Sequence, residues 1–201
     1  MTSLKVNPRW INSLKDPKNY LQIIQEKAQK NLLVFGYPNS KFEPWRLNNL
    51  KLLENFINLP ISEHIKTDYE KKYPFINASS KNILQIKIDN LEDEISLPKG
   101  IRKLSNEEIE AYLGKAINQC KCKQSWSTVI NESSTGKVLA LEIKSSNNTP
   151  IELIIPSDSN KFHSARILLK IEENANLQLT QLIIGEQNSA QSLLLEMLIG
   201  E

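Results

Sequence analysis

The chain has 201 residues, 40% of them hydrophobic, enough for one sizeable core or two small ones. Lys and Arg number 25 against 23 Asp and Glu, and the basic residues are scattered, so the net charge of +2 gives no electrostatic ground for a nucleic-acid or membrane partner. No run approaches the roughly 18 apolar residues of a membrane span, and the N-terminus lacks both a signal-peptide core and an Arg-rich transit pattern. Cys120 and Cys122 flank a single lysine, an awkward geometry for a disulfide, so a reducing cytoplasmic setting is expected.

The first sixty residues read as helical. Asp16-Pro17 is a start signal, because a capping carboxylate precedes a residue whose missing N–H costs nothing at the first helical position. Tyr20, Leu21, Ile24, Ala28 and Leu32 then share one face, and Gly36 is the expected end. Trp10, Ile11 and Leu14 suit a shorter helix before it, and Pro44 suits the opening of another that carries Leu50, Leu53 and Ile57. Residues 60–82, polar and broken by Pro60 and Pro74, read as a linker or surface loop.

"ILQIKI" (83–88) gives a strand signal. Ser105 and Glu108 then form a capping box ahead of Ile109, Tyr112, Leu113, Ala116 and Ile117, whose spacing predicts a helix. From about residue 137 the pattern changes to short β-rich runs: "KVLALEI", "IELII", "ARILLKI", "LQLTQLII" and "SLLLEMLI". Ile143, Ile171 and Ile199 each close such a run at intervals of 171 − 143 = 28 and 199 − 171 = 28. An equal period of strand, turn and strand suggests stacked coils of a β-solenoid, with an antiparallel β-sandwich as the competitor. The last run reaches Glu201 where a further strand would follow, so the chain reads as truncated, with an uncapped end.

One segment is too particular to be filler. "GYPNSKFEPWRLNNLKLL" (36–53) resembles the N-terminal signature of SufD-like proteins, a Gly-x-Pro turn followed by Lys-x-Glu-x-Trp-Lys/Arg and a leucine. The matching residues are Gly36, Pro38, Lys41, Glu43, Trp45, Arg46 and Leu50; Pro44 and Asn48 depart from the commoner family residues. The run "GKVLALEIKSSNNTPIELII" followed by "ARILLKIEENANLQLTQLIIG" is similar to the start of that family's β-helical core. The resemblance to the SufB/SufD family covers its N-terminal half only.

The resemblance implies a non-catalytic scaffold subunit of the SUF iron-sulfur cluster assembly machinery, partnering a homologous SufB-like subunit and a SufC-like ABC ATPase. It also implies an α+β chain: a helical N-terminal unit followed by a right-handed parallel β-helix. The expected division is a helical domain over 1–60, a mixed linker module over 61–137, and the first β-helix coils over 138–201. The family's ATPase-docking helices have no counterpart here, and no cluster-handling residue carries over; the iron-sulfur cluster is the pathway's product. The Lys-Glu-Trp-Arg signature is expected to be structural, with Trp45 burying its ring and Arg46 stacking or pairing with Glu43.

Catalytic and metal chemistry read more weakly. His64, Cys120, Cys122 and His163 offer one close pair, separated by a single residue, where a metal site wants several ligands at loop-closing spacings. "SSTGKV" lacks a P-loop's first glycine and its final Ser or Thr, since Asn131 and Val138 occupy those positions. Asp89, Glu92, Asp93 and Glu94 read as a solvated loop, and no glycine-elbow serine supports a triad. The expectation is therefore no enzyme, no bound cofactor or metal, no nucleic-acid or membrane partner, and as the alternative a ligand- or carbohydrate-binding β-solenoid domain.

Overall fold

The computed structural model describes residues 21–35, 38, 49–62, 68–74, 82–88, 95–119 and 125–200. Its first helix, α1 (Gln22–Phe35), follows the predicted stripe: Leu21, Ala28 and Leu32 are buried and Ile24 is partly so. Asn49 caps α2 (Leu50–Ile57), its side-chain oxygen accepting the Leu52 N–H at 3.1 Å. The presumed linker contains one helical turn, α3 (Tyr69–Lys72), and a parallel bridge between Ile61 and Phe162. Asp16-Pro17 and the expected short helix around Trp10 lie outside the described residues.

The capping box forms as the sequence predicts. The Ser105 hydroxyl accepts the Glu108 N–H, and the Glu108 carboxylate in turn accepts the Ser105 N–H at 2.8 Å, opening α4 (Asn106–Tyr112). The helix is shorter than expected because Gly114, at φ +85°, lets the chain turn and restart as α5 (Lys115–Gln119). Ser125 caps α6 (Trp126–Ser134), whose Trp126, Val129 and Ile130 are buried with Ala28 and Leu32 of α1.

Among the described residues seven strands build two sheets. β1 (Leu84–Lys87), β4 (Ile151–Ser157) and β6 (Leu179–Gly185) form a wholly parallel sheet in the order β1-β4-β6. β2 (Ile101–Lys103), β3 (Val138–Ile143), β5 (Phe162–Ile171) and β7 (Ala190–Ile199) form the other, in the order β2-β3-β5-β7, with β2 antiparallel to β3. Ile86, Leu141, Ile143, Leu153, Ile167 and Leu169 from both sheets fill the core between them. The outer face of the four-stranded sheet, including Val138, Ala140, Leu168 and Leu198, is covered by α1 and α4 through Leu21, Ile109 and Leu113.

This arrangement corrects the expected fold class. The chain is a mixed α/β structure with two separate open sheets, one parallel and one mixed, in place of a right-handed parallel β-helix. The antiparallel competitor is also overturned, since β3, β5 and β7 run parallel. The 28-residue interval measures something real but different: Ile143, Ile171 and Ile199 are aligned neighbours within one sheet, and Ile151 and Leu179 within the other. From β3 onward successive strands enter the two sheets in alternation, so every second strand repeats its inward-facing positions. The ligand- or carbohydrate-binding β-solenoid loses its framework by the same finding.

The turns explain how the alternation is achieved. Asn160, Asn174 and Asn188 all adopt left-handed φ of 56°, 61° and 54°, a region that Asn tolerates better than most residues. Gly100, at φ +90°, is required on a second count: a Cβ there would lie 2.7 Å from the backbone nitrogen of Asn147.

Candidate functional site

The helix-covered face of the four-stranded sheet carries most of the chain's organised polar chemistry. Along β5 the side chains alternate, so that Ile167, Leu169 and Ile171 enter the core while Arg166, Leu168 and Lys170 point toward the helices. Arg166 is only 2% exposed. Its Nη2 bonds to Glu196 of β7 and lies 3.8 Å from Glu132 of α6. Both Glu196 oxygens also accept the Gly114 N–H, at 3.1 and 2.9 Å, which ties the α4–α5 junction to the last strand. Arg166 Nε and Nη1 find no hydrogen-bond partner among the described residues.

A second ionic group lies further along the same face. Arg102 of β2 reaches Glu142 of β3 at 2.5 Å and grips Glu108 of α4 through two bonds of 2.6 and 2.7 Å. Lys170 then bonds the other Glu142 oxygen at 2.9 Å and sits 4.9 Å from the centre of the Tyr112 ring. The consequences follow the geometry. Hydrogen bonds from Arg102 and the Ser105 backbone hold the Glu108 carboxyl down at about 2, and the two carboxylates raise Arg102. Burial pushes Glu142 up, but Lys170 and Arg102 outweigh it and leave the carboxyl below its ordinary range.

A third network is neutral. Asn131 of α6 donates from Nδ2 to the carbonyls of Ala165 at 3.1 Å and Ser192 at 2.9 Å, while the Thr135 hydroxyl donates to the Asn131 carbonyl at 2.7 Å. Gln25 of α1 donates to the Thr135 carbonyl. These bonds seat α6 on the sheet and α1 on α6, leaving the side chains engaged in holding layers together.

Of the sequence-stretch residues singled out in 36–53, Pro38 is buried and Leu50, partly buried, begins α2. Gly36, Lys41, Glu43, Trp45 and Arg46 lie outside the described residues, as do His64, Cys120, Cys122, Asp89, Glu92, Asp93 and Glu94. His163 is buried, and its Nε2 accepts the Asp158 backbone N–H at 2.9 Å; burial lowers its pKa, with Asp158 opposing and Lys161 adding to the effect. Among the described residues no group of three or more His, Cys, Asp or Glu side chains is placed to hold a metal ion.

Two shallow depressions adjoin these networks. One, of about 220 Å³, lies between Ser127 and Thr128 of α6 and Gln191–Leu194 of β7; the other, of about 160 Å³, lies among β2, α4 and β3. Both are smaller than the roughly 300 Å³ at which small-molecule sites begin. Among the described residues no helix is long and apolar enough to cross a membrane.

Sequence reasoning passed over both ionic groups and helix α6, although the rim group and the helix left signals. Lys170 follows Glu142 by 28 residues, the interval that sets them side by side across the β3–β5 pair. Ser125 with Trp126, Val129 and Ile130 carries the start and the stripe of α6. The chain matches no family model and no curated protein.

Proposed function

We propose that the chain is a non-catalytic scaffold subunit for iron-sulfur cluster assembly, resembling SufD and working in the cytoplasm with a SufB-like subunit and a SufC-like ATPase. One observation carries the reading: the run Gly36, Pro38, Lys41, Glu43, Trp45, Arg46 and Leu50, followed in family order by the β-rich segments from residue 137. It rests on that sequence pattern and not on the expected β-helix. The structure is compatible in kind. Its buried charges serve contacts between layers, and its parallel ladders make a stiff body suited to holding a partner in register.

The test is reconstitution with named partners. The chain, tagged at Met1, is co-expressed with the SufB-like and SufC-like proteins of its own genome, and complexes are resolved by size-exclusion chromatography. The expected result is a stoichiometric complex with the SufB-like protein, with the ATPase retained only when that protein is present. A chain that elutes alone in both mixtures overturns the reading.

A further inference from the structure

Where β4 turns into β5, a buried imidazole and a strap from the helical unit meet at adjacent residues. The imidazole is His163, 8% exposed, on the face of β5 whose Ala165 and Ile167 enter the core. Its Nε2 accepts the Asp158 N–H at 2.9 Å and so closes the 158–163 turn. A nitrogen that accepts carries no proton, so this bond exists only for the neutral ring with its proton on Nδ1. Imidazolium would set one N–H against another inside the turn. The strap is residues 60–62, which follow α2. The Phe162 N–H donates to the Pro60 carbonyl at 2.9 Å and the Ser62 N–H to the Phe162 carbonyl at 3.0 Å, with Ile61 and Phe162 forming the parallel bridge. Among the described residues the strap's backbone bonds to the sheets all run to Phe162, whose ring packs with Leu59, Ile61 and Trp126. Burial opposes a proton on His163 most strongly, the Asp158 carboxylate favours it and the Lys161 ammonium opposes it. Gln191, the register neighbour on β7, is uncharged, and the β6–β7 turn stacked on this one carries Glu186, which Lys72 engages. The closed turn therefore takes a proton less readily than an opened one.

We propose that His163 is an acid-operated latch: proton uptake at Nε2 breaks the bond to Asp158, opens the 158–163 turn and releases residues 60–62, the tether of α2, from Phe162. The two events are coupled because Phe162 ends the turn and is the strap's anchor, so the backbone that moves when the turn opens is the backbone to which Pro60 and Ser62 are bonded. The latch goes beyond the cluster-assembly reading, and its test is independent of iron-sulfur chemistry.

Amide hydrogen exchange of the full chain reads the latch, followed by NMR at about pH 7.5 and about pH 5.5 and corrected for the intrinsic pH dependence of exchange. The expected result is that protection at Asp158, Phe162 and Ser62 falls together on acidification, by several-fold and by at most about tenfold, the limit set by an ordinary imidazole near 6.5 in the opened turn. The Glu172 N–H, which donates to Ile143 in the β3–β5 ladder, should keep its protection. Glu108 titrates below this window and does not enter it. His163→Gln supplies an acceptor that does not titrate and leaves His64, the chain's other histidine, in place, so protection should become equal at the two pH values. Should that variant fail to fold, the ring ¹⁵N shifts of the wild-type chain decide the matter: the latch requires Nδ1 protonated and Nε2 bare at pH 7.5. Unchanged protection in the wild type, an acid loss that persists in His163→Gln, a proton on Nε2 at pH 7.5, or a loss confined to Asp158 overturns the proposal.

Discussion

Two ionic groups share one face of the four-stranded sheet and show opposite economies of charge. Around Arg102, three of the groups are partly exposed or at the rim, and each donor finds a carboxylate: Glu108 and Glu142 for Arg102, Glu142 again for Lys170. Arg166 and Glu196 are both almost fully buried, and two guanidinium nitrogens have no acceptor among the described residues. The difference teaches what each group does. A rim network adds modest, salt-sensitive stability, whereas a buried pair is costly to form and more costly to break, so its yield is placement: it fixes α6 and the Gly114 junction against β7.

The largest effect is therefore expected at the buried pair. Glu196→Ala leaves Arg166, among the described residues, with only Glu132 at 3.8 Å and strips the Gly114 N–H of its acceptor, so urea unfolding should show a loss of about 3–5 kcal/mol. The double replacement Arg166→Met, Glu196→Leu removes both charges together and should recover most of that loss. At the rim, Arg102→Ala should cost on the order of 1 kcal/mol and cost less in high salt. Equal losses at the two sites, or a double variant as unstable as Glu196→Ala, would erase the distinction.

Acid sharpens the same contrast. The folded Glu108 carboxyl lies at about 2, below its ordinary 4.5, so the unfolded chain takes up the proton first. Its contribution is complete above about pH 4.5 and is lost as pH falls from there toward about 2. Glu108→Gln should flatten the stability–pH curve in that window and leave its shape near neutrality unchanged. Urea midpoints measured across the range check this, and a curve parallel to the wild type's would show that Glu108 is not the titrating group.

Much of the local structure was legible in the sequence because it depends on neighbours. The Ser105–Glu108 capping box, the α1 stripe and all five strands after residue 137 are local patterns, and each appears where its residues imply. What failed was the step from period to architecture. A 28-residue repeat states which residues align, and the alignment of Ile143, Ile171 and Ile199 is real, but the same repeat arises from two facing sheets filled in alternation. Nor could a period announce that β2, a three-residue strand turned by Gly100, would run antiparallel along the edge. The Arg166 cluster was hidden for a further reason. Its members Gly114, Glu132, Arg166 and Glu196 come from four separate elements, and only the packing of helices on the sheet brings them together.

The smallest expected effect probes the turns that make the alternation possible. Asn160, Asn174 and Asn188 follow one another at 174 − 160 = 14 and 188 − 174 = 14 residues, half the strand repeat, and each holds a left-handed φ. That spacing is visible in the sequence and marks where the chain passes from one sheet to the other. If backbone geometry is what these positions supply, Asn174→Gly should change stability by no more than about 0.5 kcal/mol, because glycine enters that region freely and gives back some unfolded-chain entropy cost. Asn174→Val, of similar size but β-branched, should lose about 1–2 kcal/mol by the same logic. Asn188→Gly should fall between them, since Asn188 also donates to the Asn160 side chain at 2.8 Å across an exposed rung. Thermal melts of the three variants order the effects, and a glycine at 174 as damaging as valine would show that the side chain, and not the backbone angle, holds the turn.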